Sequence, residues 1–156
     1  MAGIGGDRLH LAWVSSAEAQ RFVQVAKETI DSVTKLGKLD REALSIQLDA
    51  AEITMNSETI RWLVGKEVKI TKEGDVYGRT WDTEKYEKVL YSELEKEYQK
   101  NMICLAIKEG CTSVRDIKKR IGLNLLRISY LLADLERTNR VEFTGMIESK
   151  PVFAAI

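Results

Sequence analysis

The sequence predicts a mainly α chain with a small β component, an α+β protein in which helices do most of the packing. Apolar residues recur at three- and four-residue intervals through most of its 156 positions, which is helical periodicity. Strict alternation, the signature of a strand, is confined to a few short stretches near the two ends and around Gly74. Residues suited to capping precede several helical runs, and Gly37, Gly110 and Gly122 fall where such runs stop.

Arg8-Leu9-His10-Leu11-Ala12-Trp13-Val14 alternates, with Leu9, Leu11 and Trp13 on one face, and predicts a strand. Ser15 followed by Glu18 reads as a capping box that opens a helix. Phe22, Ala26, Ile30 and Val33 form its apolar stripe and Gly37 ends it. Together these residues make an amino-terminal β–α unit. A single strand cannot satisfy its own backbone groups, so it needs a later hairpin, a second copy of the chain or a partner. Asp40 is placed to cap a second helix that buries Leu44, Leu48 and Ala51, and a short third one runs from Ser57 to Val64 with Ile60, Trp62 and Leu63. Val68 to Trp81 reads as two short strands about a turn at Gly74.

A boundary is expected near Thr80–Thr83, dividing the chain into 1–82 and 83–156. Glu84–Glu109 is amphipathic, with Tyr86, Leu90, Leu94, Tyr98, Ile103 and Ile107 near helical spacing, and Gly110 stops it. Ser113 caps a short helix with Asp116 in its first turn, and Ile121-Gly122 closes it. Asn124 caps a longer helix whose Leu125, Ile128, Leu131, Leu132 and Leu135 make a broad apolar face. Val141-Glu142-Phe143 and Val152-Phe153-Ala154 read as strands of a hairpin. Helix, short helix, longer helix and hairpin is the order of a winged-helix domain, with the glycine turn of a helix-turn-helix inside it.

Twenty-four basic and twenty-four acidic residues balance overall. Residues 101–156 hold nine Lys/Arg against six Asp/Glu, a net +3, and residues 1–100 hold the other fifteen and eighteen, a net −3. A dedicated nucleic-acid binder carries a clearer basic excess. If the carboxy-terminal domain bound DNA, its last helix would present Asn124, Arg127 and Tyr130 to the groove, with Lys118, Lys119 and Arg120 near phosphates. Asp134 and Arg137 continue that outer stripe, and Asp134 opposes a polyanion. Lysines at a helix carboxy terminus also have the simpler role of complementing the helix dipole.

Chemistry-bearing constellations are sparse. The two cysteines, Cys104 and Cys111, have no Cys-x-x-Cys partner and read as reduced structural thiols, and His10 is the only histidine. Gly3, Gly5 and Gly6 precede the strand where a phosphate cradle needs them after it. Glu93 and Glu97 lie on a helix with Lys96 and Lys100, where ion pairing is the expectation. Trp13, Trp62 and Trp81 read as core or interface anchors. No catalytic, cofactor-binding or metal-binding residue is assigned. No apolar run spans a bilayer and no signal peptide is visible, so a cytoplasmic protein without membrane contact is expected.

Gly5 to Phe22, with Trp13, Val14, Ser15 and Glu18 at its centre, resembles the carboxy-terminal part of the delta subunit of methyl-viologen-reducing hydrogenase, a hydrogenase iron–sulfur subunit family. Leu63-Val64-Gly65-Lys66-Glu67 and Glu73-Gly74-Asp75-Val76-Tyr77-Gly78 resemble the extension that longer members carry before a winged-helix tail. The family passes electrons between a hydrogenase and a heterodisulfide-reductase-type flavoprotein. Its cluster-binding cysteines precede the matched strand and have no counterpart here, so the resemblance implies a non-catalytic docking part rather than an electron carrier. It implies iron–sulfur or flavin subunits as partners, with Leu9, Leu11, Trp13 and Phe22 as the packing residues. A DNA-binding regulator is the alternative, and a homodimer paired through the first strand is a third arrangement.

Overall fold

The structure, a computed structural model, describes residues 2–156. It is mainly helical with one two-stranded antiparallel sheet among the described residues. The chain divides into a first unit ending at Ser45 and a second, Ile46–Ile156.

In the first unit, Gly6–Arg8 forms a 3-10 turn and Leu9 to Val14 is irregular, where the alternation predicted a strand. The β–α unit is therefore a turn, an extended segment and a helix. Alternation fixes which side chains share a face but supplies no backbone partners, and among the described residues of this unit no strand is present to provide them. Helix α1, Ala19–Leu36, follows. Glu18 reaches back to the Ser15 amide at 2.9 Å, as the capping box requires, although the helix itself begins after Glu18. Gly37 ends it at φ 68.

Helix α2 (Ser45–Met55) begins at the last residue of the first unit and lies otherwise in the second, where α3 (Glu58–Val68) follows it. The Asp40 carboxylate accepts from the Ala43 amide at 3.0 Å, but residues 41–44 form a turn and the helix starts later than expected. Its buried side is Ile46, Ala50 and Thr54, whereas Leu44, Leu48 and Ala51 are half-buried. Ser57 caps α3 by accepting from the Ile60 amide. The expected strands between Val68 and Trp81 are replaced by a π-helical turn, Lys69–Glu73, and a loop. There the Asp75 carboxylate takes the Tyr77 and Arg79 amides at 2.8 and 3.0 Å, and this local bonding overrides the strand preference of Val68, Ile70 and Val76.

Asp82 caps α4, Thr83–Lys108. Tyr86, Tyr98, Ile103 and Ile107 are buried along it, while Leu90 and Leu94 are half-buried. Helix α5 is Val114–Ile121, capped by Ser113 through the Asp116 amide and closed by Gly122 at φ 75, a left-handed position suited to glycine. Helix α6 is Leu125–Arg137, capped by the Asn124 carboxamide. Strands β1 (Val141–Ile147) and β2 (Lys150–Ala155) pair antiparallel with Phe143 opposite Phe153. Their two-residue turn, Glu148-Ser149, has both φ values positive, the geometry that matches strand twist in a tight hairpin.

Ile103, Ile107, Ile117, Ile128, Leu131, Leu132, Leu135, Val141 and Phe153 make the main core, and a second cluster packs α2 on α4 through Ile46, Ala50, Tyr98, Met102 and Ala106. A polar chain runs beside it. Arg140 donates to the Asn101 side-chain Oδ1, Asn101 Nδ2 donates to Thr54 Oγ1 at 2.8 Å, and Thr54 donates to the Ala50 carbonyl at 2.6 Å. Among the described residues no helix is long and apolar enough to cross a membrane.

Candidate interaction surfaces

In the first unit, α1 has an apolar stripe, yet none of its residues is buried. Leu9, Leu11 and Trp13 are 84–86% exposed and Phe22 is 64% exposed. Val23 and Ile30 are also exposed. Polar contacts to backbone give the unit its order. The Arg8 guanidinium donates to the Leu36 and Gly37 carbonyls at 3.0 and 2.8 Å, and Ser32 Oγ donates to the Asp7 carbonyl at 3.2 Å. His10 bonds the same Asp7 carbonyl at 2.8 Å through Nε2. The four residues expected to pack thus present their apolar atoms outward.

In the second unit the groove-facing set does not act as one cationic surface. Asn124 is used as the α6 cap, accepting from the Leu126 amide at 2.8 Å. Arg127 donates from Nε to Gln99 Oε1 at 2.7 Å and lies 5.9 Å from the Tyr130 ring centre. Arg120 donates to the Glu109 carboxylate from Nε and Nη2 at 2.6 and 3.2 Å. Lys118, Lys119 and Tyr130 are exposed. The spacing also placed Asp134 on the outer stripe, and the structure corrects this. Its side chain is only 9% exposed and pairs with Lys100 at 2.5 Å, with Lys96 at 3.4 Å and with Arg137. A crossing of α4 and α6 brings these groups together, which periodicity along α6 alone cannot reveal. The Lys100 hydrogen bond holds the Asp134 carboxyl well below the usual carboxylate range, against the opposing effect of burial. Leu126, 82% exposed, and Met146 and Ile147 on the hairpin are exposed apolar residues that the sequence reading missed.

A cavity of about 570 Å³ lies in the second unit, lined by Trp62, Lys66, Lys69, Ile70, Gly74, Asp75, Arg79 and Trp81. The spacing of Trp62, Lys66 and Lys69, i, i+4 and i+7, was the available signal for it.

Cys104 and Cys111 are free thiols that pack against the main core. Burial pushes the Cys104 thiol up, and the nearby Arg140 and Lys108 charges offset only part of this. Among the described residues no group of three His, Cys, Asp or Glu side chains is arranged to hold a metal. Comparison with protein-family models, with curated proteins and with solved structures returns no match.

Proposed function

We propose that the chain is a non-catalytic docking part of an iron–sulfur electron-transfer assembly of the hydrogenase or heterodisulfide-reductase type. One observation carries this reading: the first unit buries none of α1 and holds Leu9, Leu11, Trp13 and Phe22 out to solvent. Covering a large apolar side chain contributes about 1.5–3 kcal/mol, so four neighbouring in sequence favour a partner surface over water. The sequence resemblance around Trp13 to Glu18 supplies the kind of partner. The segment 83–156 is read as a winged-helix domain, from three capped helices followed by a hairpin, with exposed Leu126, Met146 and Ile147 suited to a protein contact. The test is purification of the tagged chain from its native host. The reading expects a companion whose absorbance reveals an iron–sulfur or flavin group, lost with Leu9→Asp and Trp13→Asp. Recovery of the chain alone, or with a companion lacking any redox group, refutes it.

The regulator reading draws support from the Asp134 charge being paired with Lys100, and from Lys118 and Lys119 standing exposed at the end of α5. It assigns DNA contact to these lysines with Arg120, Asn124, Arg127 and Tyr130. Duplex affinity measured against salt checks it. Removing both lysines should lower the slope by about two, one per phosphate contact. A slope near zero in the unaltered protein eliminates it.

A further inference from the structure

The geometry points to a binding site for a free aromatic mononucleotide in the cavity between the end of α3 and the loop that follows it. The cavity volume of about 570 Å³ lies within the 300–1,000 Å³ range of small-molecule sites. Two indoles, Trp62 and Trp81, line it, and both remain partly open to solvent. A planar π-face is what such rings recognise by stacking. Lys66 and Lys69 line the same cavity, and among the described residues neither has a carboxylate within ion-pair distance. The acid in the lining, Asp75, is already neutralised by Arg79 at 2.7 Å, so the lining carries two uncompensated positive charges. Two ammonium groups one helical turn apart match the two charges of a phosphate monoester better than a single carboxylate.

The backbone holds these groups in place. The π-helical turn closes with the Gly74 amide donating to the Lys69 carbonyl at 2.8 Å, and such turns recur at functional sites. The loop is then braced by the Asp75 amide to the Arg79 carbonyl at 3.0 Å and by the Trp81 amide to the Ile70 carbonyl at 2.9 Å. Gly74 sits at φ 82, and a Cβ there would lie 3.0 Å from the Arg79 carbonyl oxygen. Lys85 Nζ lies 4.5 Å from the centre of the Trp81 ring, adding positive charge beside that wall. Two aromatic walls, unpaired cations and a braced loop form a cavity that combines ring stacking with phosphate binding.

The test titrates the full chain with adenosine monophosphate while following the three tryptophan indole N–H signals by NMR, assigned with single Trp→Phe variants. Saturable shifts of Trp62 and Trp81 are expected, with Trp13 unmoved and a dissociation constant of about 1 mM or tighter at low salt. Adenosine alone and inorganic phosphate alone should each bind at least about tenfold more weakly, because each supplies half of the contacts. The double variant Lys66→Gln, Lys69→Gln should weaken the nucleotide by about tenfold and leave adenosine unchanged. The exposed Trp62→Ala should abolish the Trp81 shift while core methyl signals stay in place. Absence of saturation by about 10 mM overturns the assignment. Equal movement of Trp13, or nucleotide affinity indifferent to the lysine pair, does so too. Binding of a short single-stranded oligoadenylate more than about tenfold tighter than the mononucleotide would place the site on nucleic acid instead.

Discussion

Replacing Lys100 with methionine isolates the buried ionic network that joins α4 to α6. Lys100 bridges Asp134 at 2.5 Å and Glu97 at 3.0 Å, with side-chain exposures of 7% for the lysine and 9% for Asp134. Removing one member of such a pair strands the other, which costs about 3–5 kcal/mol. Asp134 keeps Lys96 and Arg137, and Glu97 keeps Arg140, so the low end, about 3 kcal/mol, applies here. For a unit of this size that lowers the melting temperature by about 12 °C. Thermal unfolding followed by far-ultraviolet circular dichroism reads it directly. The double variant Lys100→Met, Asp134→Leu separates pairing from burial, because an apolar pair in place of an ion pair is close to neutral. It should recover most of the loss. A Lys100→Met protein that melts with the wild type, or a double variant whose loss equals the sum of the two single losses, refutes the reasoning. The same network sets the pH response. Asp134 titrates below its unfolded value, so its contribution is present above about pH 4 and fades as pH falls towards the depressed native value. For Lys100, burial pulls the other way but the hydrogen bonds it donates to Asp134 and Glu97 prevail and raise it, so its contribution is lost only as pH rises past about 10.4.

Ser113→Ala removes the cap of α5, whose Oγ accepts from the Asp116 amide at 3.2 Å, and should cost about 1 kcal/mol in urea unfolding. Leu131→Ala empties a fully buried site in the main core and should cost about 2–5 kcal/mol by the same assay. Gly122→Ala places a Cβ at φ 75 and should cost about 1 kcal/mol, even though nothing crowds the position. Cys104 should react with iodoacetamide near pH 8 more slowly than a free model thiol, because burial raises its pKa. Equal rates would contradict that.

The carboxy-terminal half was largely legible because its signals are local. Ser113 and Asn124 cap the helices they were expected to cap, Gly110 and Gly122 end their runs, and Ile128, Leu131, Leu132 and Leu135 are buried as their spacing requires. Each of these depends on a few adjacent residues and a fixed period. Most failures involve a partner outside that reach, and one, the Asp75 loop, involves local side-chain bonds that compete with strand propensity. Leu9, Leu11 and Trp13 alternate correctly for a strand, but pairing is non-local and among the described residues no strand pairs with them. Val68 to Trp81 had suitable composition for a hairpin, yet one carboxylate at Asp75 organised the loop. Asp134 was assigned to solvent from its place along α6, and Lys100, on another helix, turned it into a buried partner. The cavity beside Trp62 was missed for the same reason, since Trp81 reaches it only through the fold of the intervening loop.

That contrast bears on how the two halves of the chain work. In the second unit, each charged group expected to meet DNA or to oppose it was free to be exposed, and several were instead drawn into internal bonds: Arg127 to Gln99, Arg120 to Glu109, Asp134 to Lys100. A surface selected to hold phosphates keeps its arginines available, because an internal hydrogen bond must be broken or shared before the backbone of a nucleic acid can be met. In the first unit the opposite holds. Its polar groups are satisfied by the backbone through Arg8 and Ser32, while its large apolar groups are the ones left open. The free energy available to that unit on association is therefore hydrophobic and insensitive to salt, whereas a phosphate-driven contact weakens steeply as salt rises. Partner capture that survives high salt but fails with Trp13→Asp fits the docking reading, and capture that dissolves in salt while tolerating Trp13→Asp defeats it.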